Sequence, residues 1–394
     1  MAEPVIPVPS AVYNGIVGNA GTIGINSDVL KPAVEDRFYL YDRYTTPILA
    51  ILTQRSAAVP VQEYQYKWLE DEPIPEWLTV ATGGNSSATQ IALTTGQGSW
   101  CQINDVVLDV TSGEYFQISN IAGDTLTISR AFAGSTAATI ATTDSLINLK
   151  TPWGQGTSKA NPYSTNPTTV YNYTQIYKND FSLSKTLEAA ATFGGDQRAY
   201  QRLKLMQAHA RAWEQIFLHG TRSSSVNSSS PTFTTGGCDF FIASNKLSAG
   251  GPLAESDFIE FITRVNRYSV DSGGSDSKVL FASRAVANAI NSWGLSKLHM
   301  NDGLSQKYGV TIQTYVAAGI NMNIVLHPLL EQGYDGTAYL LDLNGIKRRV
   351  FRPTQLNPDV QLPGSDFVQD EVITEQGFEV NMEKAHGIIT GVTF

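Results

Sequence analysis

The chain has 394 residues, enough for two or three domains, and 42% of them are apolar, so a sizeable core is expected. Only 16% are charged, below the ~25% usual for soluble proteins, which favours a surface covered by other subunits over that of a freely diffusing monomer. A formal net charge of −9, with one short cationic run at 347–349, disfavours direct binding to nucleic-acid phosphates.

Cysteine usage and hydropathy exclude two further classes. Cys101 and Cys238 are too few for a disulfide framework and are predicted to be buried thiols. The N-terminus lacks the basic and apolar regions of a secretory signal, and no apolar run reaches the ~20 residues that span a bilayer. The sequence therefore predicts a protein made in a cytosol and not inserted in a membrane.

The first predicted element is an N-terminal arm over residues 1–60. Prolines and glycines interrupt its first thirty or so residues, which have almost no charge and no periodicity. Such a segment cannot form a core of its own, so we expect it to lie along another surface. A short helix is predicted around Phe38–Arg55, broken near Pro47.

An extended loop is predicted over 61–78 and 150–186. Aromatic residues alternate with polar ones in two strand-like runs, which places the rings of each run on one face. The aromatic residues are Tyr64, Tyr66, Trp68, Tyr171, Tyr173 and Phe181. We interpret the two runs as the arms of one long hairpin whose aromatic face needs a cover.

Between the arms, residues 79–149 are predicted to form a small inserted all-β domain. Short strand signals recur at 105–108, 115–118 and 126–129, with turn residues at 112–113 and 122–124. An insertion is tolerated where the chain ends that it joins lie close together, as they do at a hairpin tip.

The strongest helix signal follows a break at Gly194-Gly195. Asp196 is predicted to cap the helix, which ends at Gly220 and has a length of roughly 36 Å at ~1.5 Å per residue. Its apolar residues recur at spacings of three and four and are predicted to face a sheet or another helix. They are Ala199, Leu203, Met206, Ala210, Trp213 and Phe217.

From residue 221 to about 253 the chain is Ser/Gly-rich, and the helix and strand signals that follow alternate, which predicts a compact α/β unit. The final segment, 345–394, is predicted to be mostly extended. The α/β signals are a helix at 256–270, a buried strand at 278–282, a helix at 284–293, and strand-like runs at 309–315, 322–326 and 337–343.

A search for catalytic, metal or cofactor motifs finds none. The five histidines are predicted to be packing or surface residues, since none has metal-ligand spacing: His209, His219, His299, His327 and His386. Gly194-Gly195-Asp196 opens a helix, which we interpret as a break and a cap and not as an anion site. We therefore expect no enzyme, metal or cofactor.

The order of these elements resembles the major capsid protein of tailed bacteriophages, whose fold is shared with encapsulins. Local resemblance covers Val170–Gly220 and the last thirty residues well, while the middle agrees only in element order. The stretches that resemble the family are Asn172–Tyr177, Ser182–Ala189, Trp213–Gly220, Glu375–Asn381 and Ala385–Ile388.

This resemblance implies an α+β fold with five parts. An N-terminal arm (1–60) and an extended loop (61–78 and 150–186) would reach neighbouring subunits. A peripheral domain (187–220 and 345–394) would contain a spine helix, and an axial domain (221–344) would gather at the symmetry axes. The inserted β domain (79–149) departs from the short connection of many relatives. The six aromatic residues would then be inter-subunit contacts.

The implied function is that of a structural subunit that assembles, as hexamers and pentamers, into the icosahedral head shell of a phage virion in the host bacterial cytoplasm. Such a shell encloses double-stranded DNA without reading its sequence, and decoration, scaffold and portal proteins are candidate partners. An encapsulin-like cellular compartment and another virion structural protein are the alternatives.

Overall fold

A computed structural model describes ten segments of the chain. They are 46–55, 58–71, 75–156, 166–190, 195–225, 229–268, 278–297, 314–317, 320–331 and 333–393. Residues 1–45 of the predicted N-terminal arm (1–60) lie outside these segments. Its last part is not an arm, because Ile48 and Leu52 are buried in the core and Ala58–Pro60 pairs with residues 348–350 of the same chain.

Six α-helices occur in the described residues. They are α1 (Pro47–Gln54), α2 (Lys185–Ala189), α3 (Gln197–His219), α4 (Cys238–Phe241), α5 (Glu255–Asn266) and α6 (Arg284–Lys297). The predicted cap of the long helix is confirmed, because the Asp196 carboxylate accepts hydrogen bonds from the amides of Arg198 and Ala199 at 2.9 and 3.3 Å. These bonds satisfy two amides that have no partner within the helix.

The described residues also contain twenty strands. They are β1 (Ala58–Pro60), β2 (Gln65–Glu70), β3 (Trp77–Thr82), β4 (Gln90–Leu93), β5 (Val106–Asp109), β6 (Tyr115–Ala122), β7 (Thr125–Ser129), β8 (Ser145–Asn148), β9 (Thr168–Tyr173), β10 (Gln175–Ser184), β11 (Ser223–Ser225), β12 (Thr232–Thr234), β13 (Lys246–Gly251), β14 (Lys278–Ala282), β15 (Thr314–Ala317), β16 (Ile320–Leu326), β17 (Ala338–Asp342), β18 (Ile346–Asn357), β19 (Phe367–Val380) and β20 (Gly387–Val392).

The described chain divides into two compact units. One contains residues 46–66 and 172–393, and the other is Lys67–Tyr171. The chain passes from one unit to the other within β2 and again within β9, and these two strands pair as a two-stranded sheet, hereafter the ribbon.

In the larger unit, a four-stranded sheet has the order β1-β18-β19-β10. Helix α3 packs on it through Trp213 and Phe217, whose rings contact Phe378 of β19 with centroids 6.0 and 4.9 Å apart. All three side chains are buried. The apolar core thus lies between α3 and one face of this sheet.

The predicted apolar stripe of α3 is wrong in its first half. Leu203 and Met206 are 53% and 46% exposed, while Leu205 and His209 are buried. The buried side of the helix therefore differs from the predicted one. Hydrogen bonds explain the difference, because His209 bonds to Asn179 of β10 and Thr374 of β19. These bonds turn the His209 side of the helix towards the sheet.

The predicted long hairpin is also wrong for its second arm. Strand β10 follows β9 in the chain but is not part of the ribbon. It pairs antiparallel with β19 over its full length, from Gln175 opposite Gln376 to Ser184 opposite Phe367. At the change of partner, Thr174 is buried and its hydroxyl donates to the carboxylate of Glu375 at 3.2 Å. The segment 175–184 is therefore part of the sheet under α3 and not of an extended loop.

A six-stranded mixed sheet has the order β13-β20-β17-β14-β16-β15. Its central strands are buried throughout, and the helices α5 and α6 contribute Phe258, Phe261 and Ile290 to the core against it. The predicted elements at 256–270, 278–282, 284–293, 322–326 and 337–343 correspond to α5, β14, α6, β16 and β17, whereas the run at 309–315 lies mostly outside the described residues. The C-terminal segment, however, is shared: β18 and β19 belong to the four-stranded sheet and β20 to this one. In β20, Ile388 and Ile389 face different cores, so the strand joins both.

The unit Lys67–Tyr171 contains a closed six-stranded barrel of order β3-β4-β7-β6-β5-β8. Alternate residues point inward, and its core includes the fully buried Leu78, Phe116, Ile118 and Leu146. The barrel ends are adjacent, since the Asn148 amide donates to the Glu76 carbonyl at 2.9 Å. The strands run from Trp77 to Asn148, within two residues of the predicted insert boundaries.

Among the described helices, none has the length and apolar character required for a membrane span.

Candidate contact site

An aromatic cluster lies where the ribbon enters the larger unit. Tyr64 stacks on Phe233 of β12 with ring centroids 4.6 Å apart, and on Tyr173 of β9 at 6.4 Å. Tyr173 and Phe233 are 5.4 Å apart, which closes a triangle of rings. Tyr64 remains 48% exposed. The cluster thus presents apolar surface outward although its rings stabilise one another.

Two of its three members were predicted as contact residues, and the third was not. Phe233 lies in a Ser/Thr-rich stretch, and its only signal is the alternation Thr232-Phe233-Thr234. This run is too short to distinguish a strand from a loop.

A buried amide anchors the cluster from below. The Asn172 side chain donates to the hydroxyl of Thr235 at 3.0 Å and to the carbonyls of Gly236 and Phe378 at 3.1 and 2.7 Å. Its oxygen accepts from the Gly236 amide at 2.9 Å. Because each polar atom is paired, Asn172 can be fully buried and fixes the neighbouring Tyr173 in position.

Tyr66 requires a correction. It was predicted to need a neighbouring subunit, but it is only 7% exposed, and its hydroxyl donates to the Phe378 carbonyl at 2.8 Å. Burial raises the pKa of the Tyr66 phenol. Gly377 makes the approach possible, since a Cβ there would lie 2.4 Å from the Tyr66 hydroxyl and 2.7 Å from the Tyr173 carbonyl. Tyr66 is therefore a core residue of its own chain.

The remaining predicted residues are separated from the cluster. Trp68 is 8% exposed, and its indole nitrogen donates to Glu70 at 2.8 Å, so it too needs no cover from another copy. Tyr171 is half-buried in β9. Phe181 is half-buried in β10, opposite Asp370 of β19, and so belongs to the sheet and not to the ribbon.

An ionic network fixes β19 and α3 to one another. The buried carboxylate of Asp370 accepts from Arg198 at 2.6 and 3.0 Å and from Arg202 at 2.8 Å. These hydrogen bonds, those from Arg198 first, hold the pKa of Asp370 well below its usual range. A carboxylate with such partners can be buried without being protonated. The sequence analysis did not find this network, because Arg198 and Arg202 are about 170 positions away from Asp370.

A second buried network joins α1 to the core. The Glu214 carboxylate of α3 accepts from the amides of Ile48 and Leu49 at 2.8 and 2.9 Å, which caps the first turn of α1. It also accepts from Nε2 of His327 at 2.9 Å. All these groups are buried. These bonds hold α1, α3 and His327 together, while Nδ1 of His327 is buried and makes no hydrogen bond within the described residues.

The described residues hold no group of three or more potential metal-ligating side chains. Cys101 and Cys238 are buried and unpaired with each other, and burial raises the pKa of the Cys101 thiol to about 12. A protonated buried thiol is a packing group and a poor nucleophile.

Comparison with known proteins gives a consistent result. A solved structure described as the capsid of an empty GTA particle matches with a TM-score of 0.51 and 12% identity, covering 93% of this chain and 97% of the other, which shows the fold alone. The major capsid protein of Pseudomonas phage PaMx41 is 26% identical over 177 residues; this alignment spans 43% of this chain and 42% of that relative. The model of the SU10 major capsid protein family matches residues 16–393, nearly the whole sequence. The chain belongs to the SU10 major capsid protein family.

Proposed function

We propose that this chain is the subunit that builds the icosahedral head shell of a tailed phage, and that the aromatic cluster of Tyr64, Tyr173 and Phe233 is a contact between copies. The exposed, preordered cluster is the observation that supports this site. Its rings are already stacked, so little side-chain entropy is lost when a second copy covers them.

The ribbon begins at the cluster, since Tyr64 directly precedes β2 and Tyr173 is the last residue of β9. Six residues in β2 and six in β9 span roughly 20 Å at ~3.3 Å per residue, and Leu69 near the end of β2 is exposed. A two-stranded sheet is marginal in water by itself. Contact with a neighbouring copy would supply the missing cover, with Tyr171 as a further contact residue. Phe181 lies in the four-stranded sheet and not on the ribbon, so we do not include it in the proposed contact.

We assign the chain no catalytic role. The family is structural, and the buried titratable groups described above are engaged in bonds that hold elements of the fold together. We further propose that hexamers and pentamers of the chain form the shell, that double-stranded DNA is enclosed without sequence-specific contacts, and that scaffold, portal and decoration proteins are its partners. The family match supports a virion shell over an encapsulin-like compartment.

The barrel in Lys67–Tyr171 is proposed to be an added knob that contacts neighbours or a decoration protein. Its outer face has an apolar row across four adjacent strands, because Trp77 is opposite Ile147, Ile147 is opposite Leu108, and Leu108 is opposite Tyr115. Trp77 is 58% exposed. An exposed row of this kind is typical of a contact surface.

The test is assembly of a Tyr64→Ser/Phe233→Ser variant, examined by negative-stain electron microscopy. We expect soluble capsomers in place of closed shells, because loss of aromatic anchors at an interface typically costs on the order of 2 kcal/mol or more each. Leu362→Ser is the matched control, since Leu362 is an exposed apolar residue outside the cluster. Shells of normal size and yield from the double variant, with unchanged circular dichroism, would contradict the contact role.

A further inference from the structure

A cleft of about 370 Å³ lies between α1, α3 and the four-stranded sheet. Its lining is mixed. The apolar side chains are Leu49, Ala50, Met206, Ala210 and Trp213, and the polar or charged ones are Thr46, Thr53, His209, Arg348, Thr354 and Gln376. No acidic residue of the described segments lines it. The cleft therefore combines one arginine with apolar and uncharged polar side chains.

Arg348 lies on the helix-facing side of the sheet. It is opposite Phe378, whose ring packs against Trp213 and Phe217. The residues before and after it, Lys347 and Arg349, point to the other face, where both pair with Glu379. Strand alternation thus separates Arg348 from the carboxylate that neutralises its two neighbours.

The Arg348 side chain lacks a partner within the described segments. Its Nε is buried and makes no hydrogen bond there, and burial lowers the pKa of the guanidinium. Other arginines of this sheet and helix are paired: Arg198 and Arg202 with Asp370, and Arg352 with Glu375. Arg348 as a whole is half-buried, and a cation partly withdrawn from water without a counter-charge is destabilising, so we read Arg348 as the site of a missing anion.

We propose that the cleft receives a carboxylate side chain from a second copy of this chain, which pairs with Arg348 in the assembled shell. The inference rests on the proposed function, because a shell surrounds every subunit with copies. The chain has 36 acidic residues against 27 basic ones, so copies offer carboxylates in excess. Glu76, exposed and next to the exposed Trp77, has the acidic and apolar chemistry that the cleft requires.

A protein carboxylate fits the cleft better than a nucleic-acid phosphate does. Phosphate binding depends on several cations spread along a backbone, whereas Arg348 is the single lysine or arginine among the described residues that line this cleft. The apolar lining residues, such as Leu49 and Trp213, would partly desolvate one ion pair and so strengthen its Coulomb attraction.

The test compares Arg348→Met, which keeps much of the length of the side chain and removes its charge, with Arg349→Met as the matched control on the neighbouring residue. In unassembled subunits we expect the urea midpoint of Arg348→Met to be unchanged or raised, because an unpaired charge is removed. In assembled shells we expect subunit release to be faster by at least about tenfold, as for other interfacial charge pairs. Arg349→Met is expected to lower the midpoint of unassembled subunits, since Glu379 loses a partner.

Each other outcome has a distinct meaning. A lower midpoint for unassembled Arg348→Met would place the counter-charge in the same chain, and would overturn the proposal. Stabilisation of unassembled wild type, but not of Arg348→Met, by inorganic phosphate would assign the cleft to a solvent anion and would also overturn it. Shells of Arg348→Met as durable as those of wild type would refute the Arg348 assignment alone, whereas absence of shells from the wild type would refute the proposed function.

Discussion

His386 gives a specific pH dependence to the stability of the fold. Its ring is fully buried; Nδ1 accepts from the Asp342 amide at 3.1 Å, and Nε2 donates to the Asn381 carbonyl at 3.0 Å. This arrangement requires the neutral ring, and burial lowers the pKa of His386 to about 4. His209 is similar: its Nε2 accepts from the Trp213 indole, and burial lowers its pKa to about 4.

The sign and size of the effect follow from proton linkage. The folded pKa is below the unfolded value of ~6.5, so the unfolded chain binds more protons as the pH falls. The stabilisation is complete above pH ~6.5 and is lost as the pH falls towards 4. At ~1.36 kcal/mol per pKa unit, each histidine contributes a loss of about 3 kcal/mol. Carboxylates with a lowered pKa, such as Asp370, make the folding stability depend on pH mainly below pH ~4, where the unfolded chain binds their protons.

Urea denaturation of unassembled subunits between pH 4.5 and 7.5 measures this dependence. His386→Asn is expected to lose about 1–3 kcal/mol at pH 7.5, because one buried hydrogen bond is broken. Its free energy of unfolding should then change less steeply with pH, by about 1.4 kcal/mol per unit. Phe261→Leu, which alters packing beside Gly387, is the control and should keep the wild-type slope. An unchanged slope in His386→Asn would refute the reasoning.

Three further changes test the cores. In the barrel, Arg130→Met should destabilise by about 3–5 kcal/mol, because Glu114 is buried against Arg130; thermal unfolding checks this, and a neutral result would contradict it. Lys278→Met removes the amine that donates to three carbonyls at 2.7–3.0 Å and should cost about 2–4 kcal/mol, measured by urea midpoint. Gly377→Ala should cost at least about 1–3 kcal/mol through overpacking against Tyr66, while Gly251→Ala, which has open space at its Cβ, should not.

Much of the local structure is specified by short-range signals. The cap at Asp196, the long helix, the buried strand at 278–282 and the barrel strands β5, β6 and β7 all follow from residues within a few positions of one another. Helix and strand periodicities depend on neighbours three, four or two residues away, so they can be read along the chain. The resemblance of 172–189 and 375–388 to a capsid family is likewise a property of local sequence.

The partners of these elements are decided only by the tertiary structure. The alternating run at 175–184 has the same pattern as β9, yet it pairs with β19, nearly two hundred positions away. Alternation fixes which residues share a face but not what covers that face, so Tyr66 was misassigned while Phe233 was missed. Likewise, Arg348 differs from Lys347 and Arg349 only in the face to which it points. Pairing and burial depend on contacts between distant segments, and those contacts have no periodic signature in the sequence.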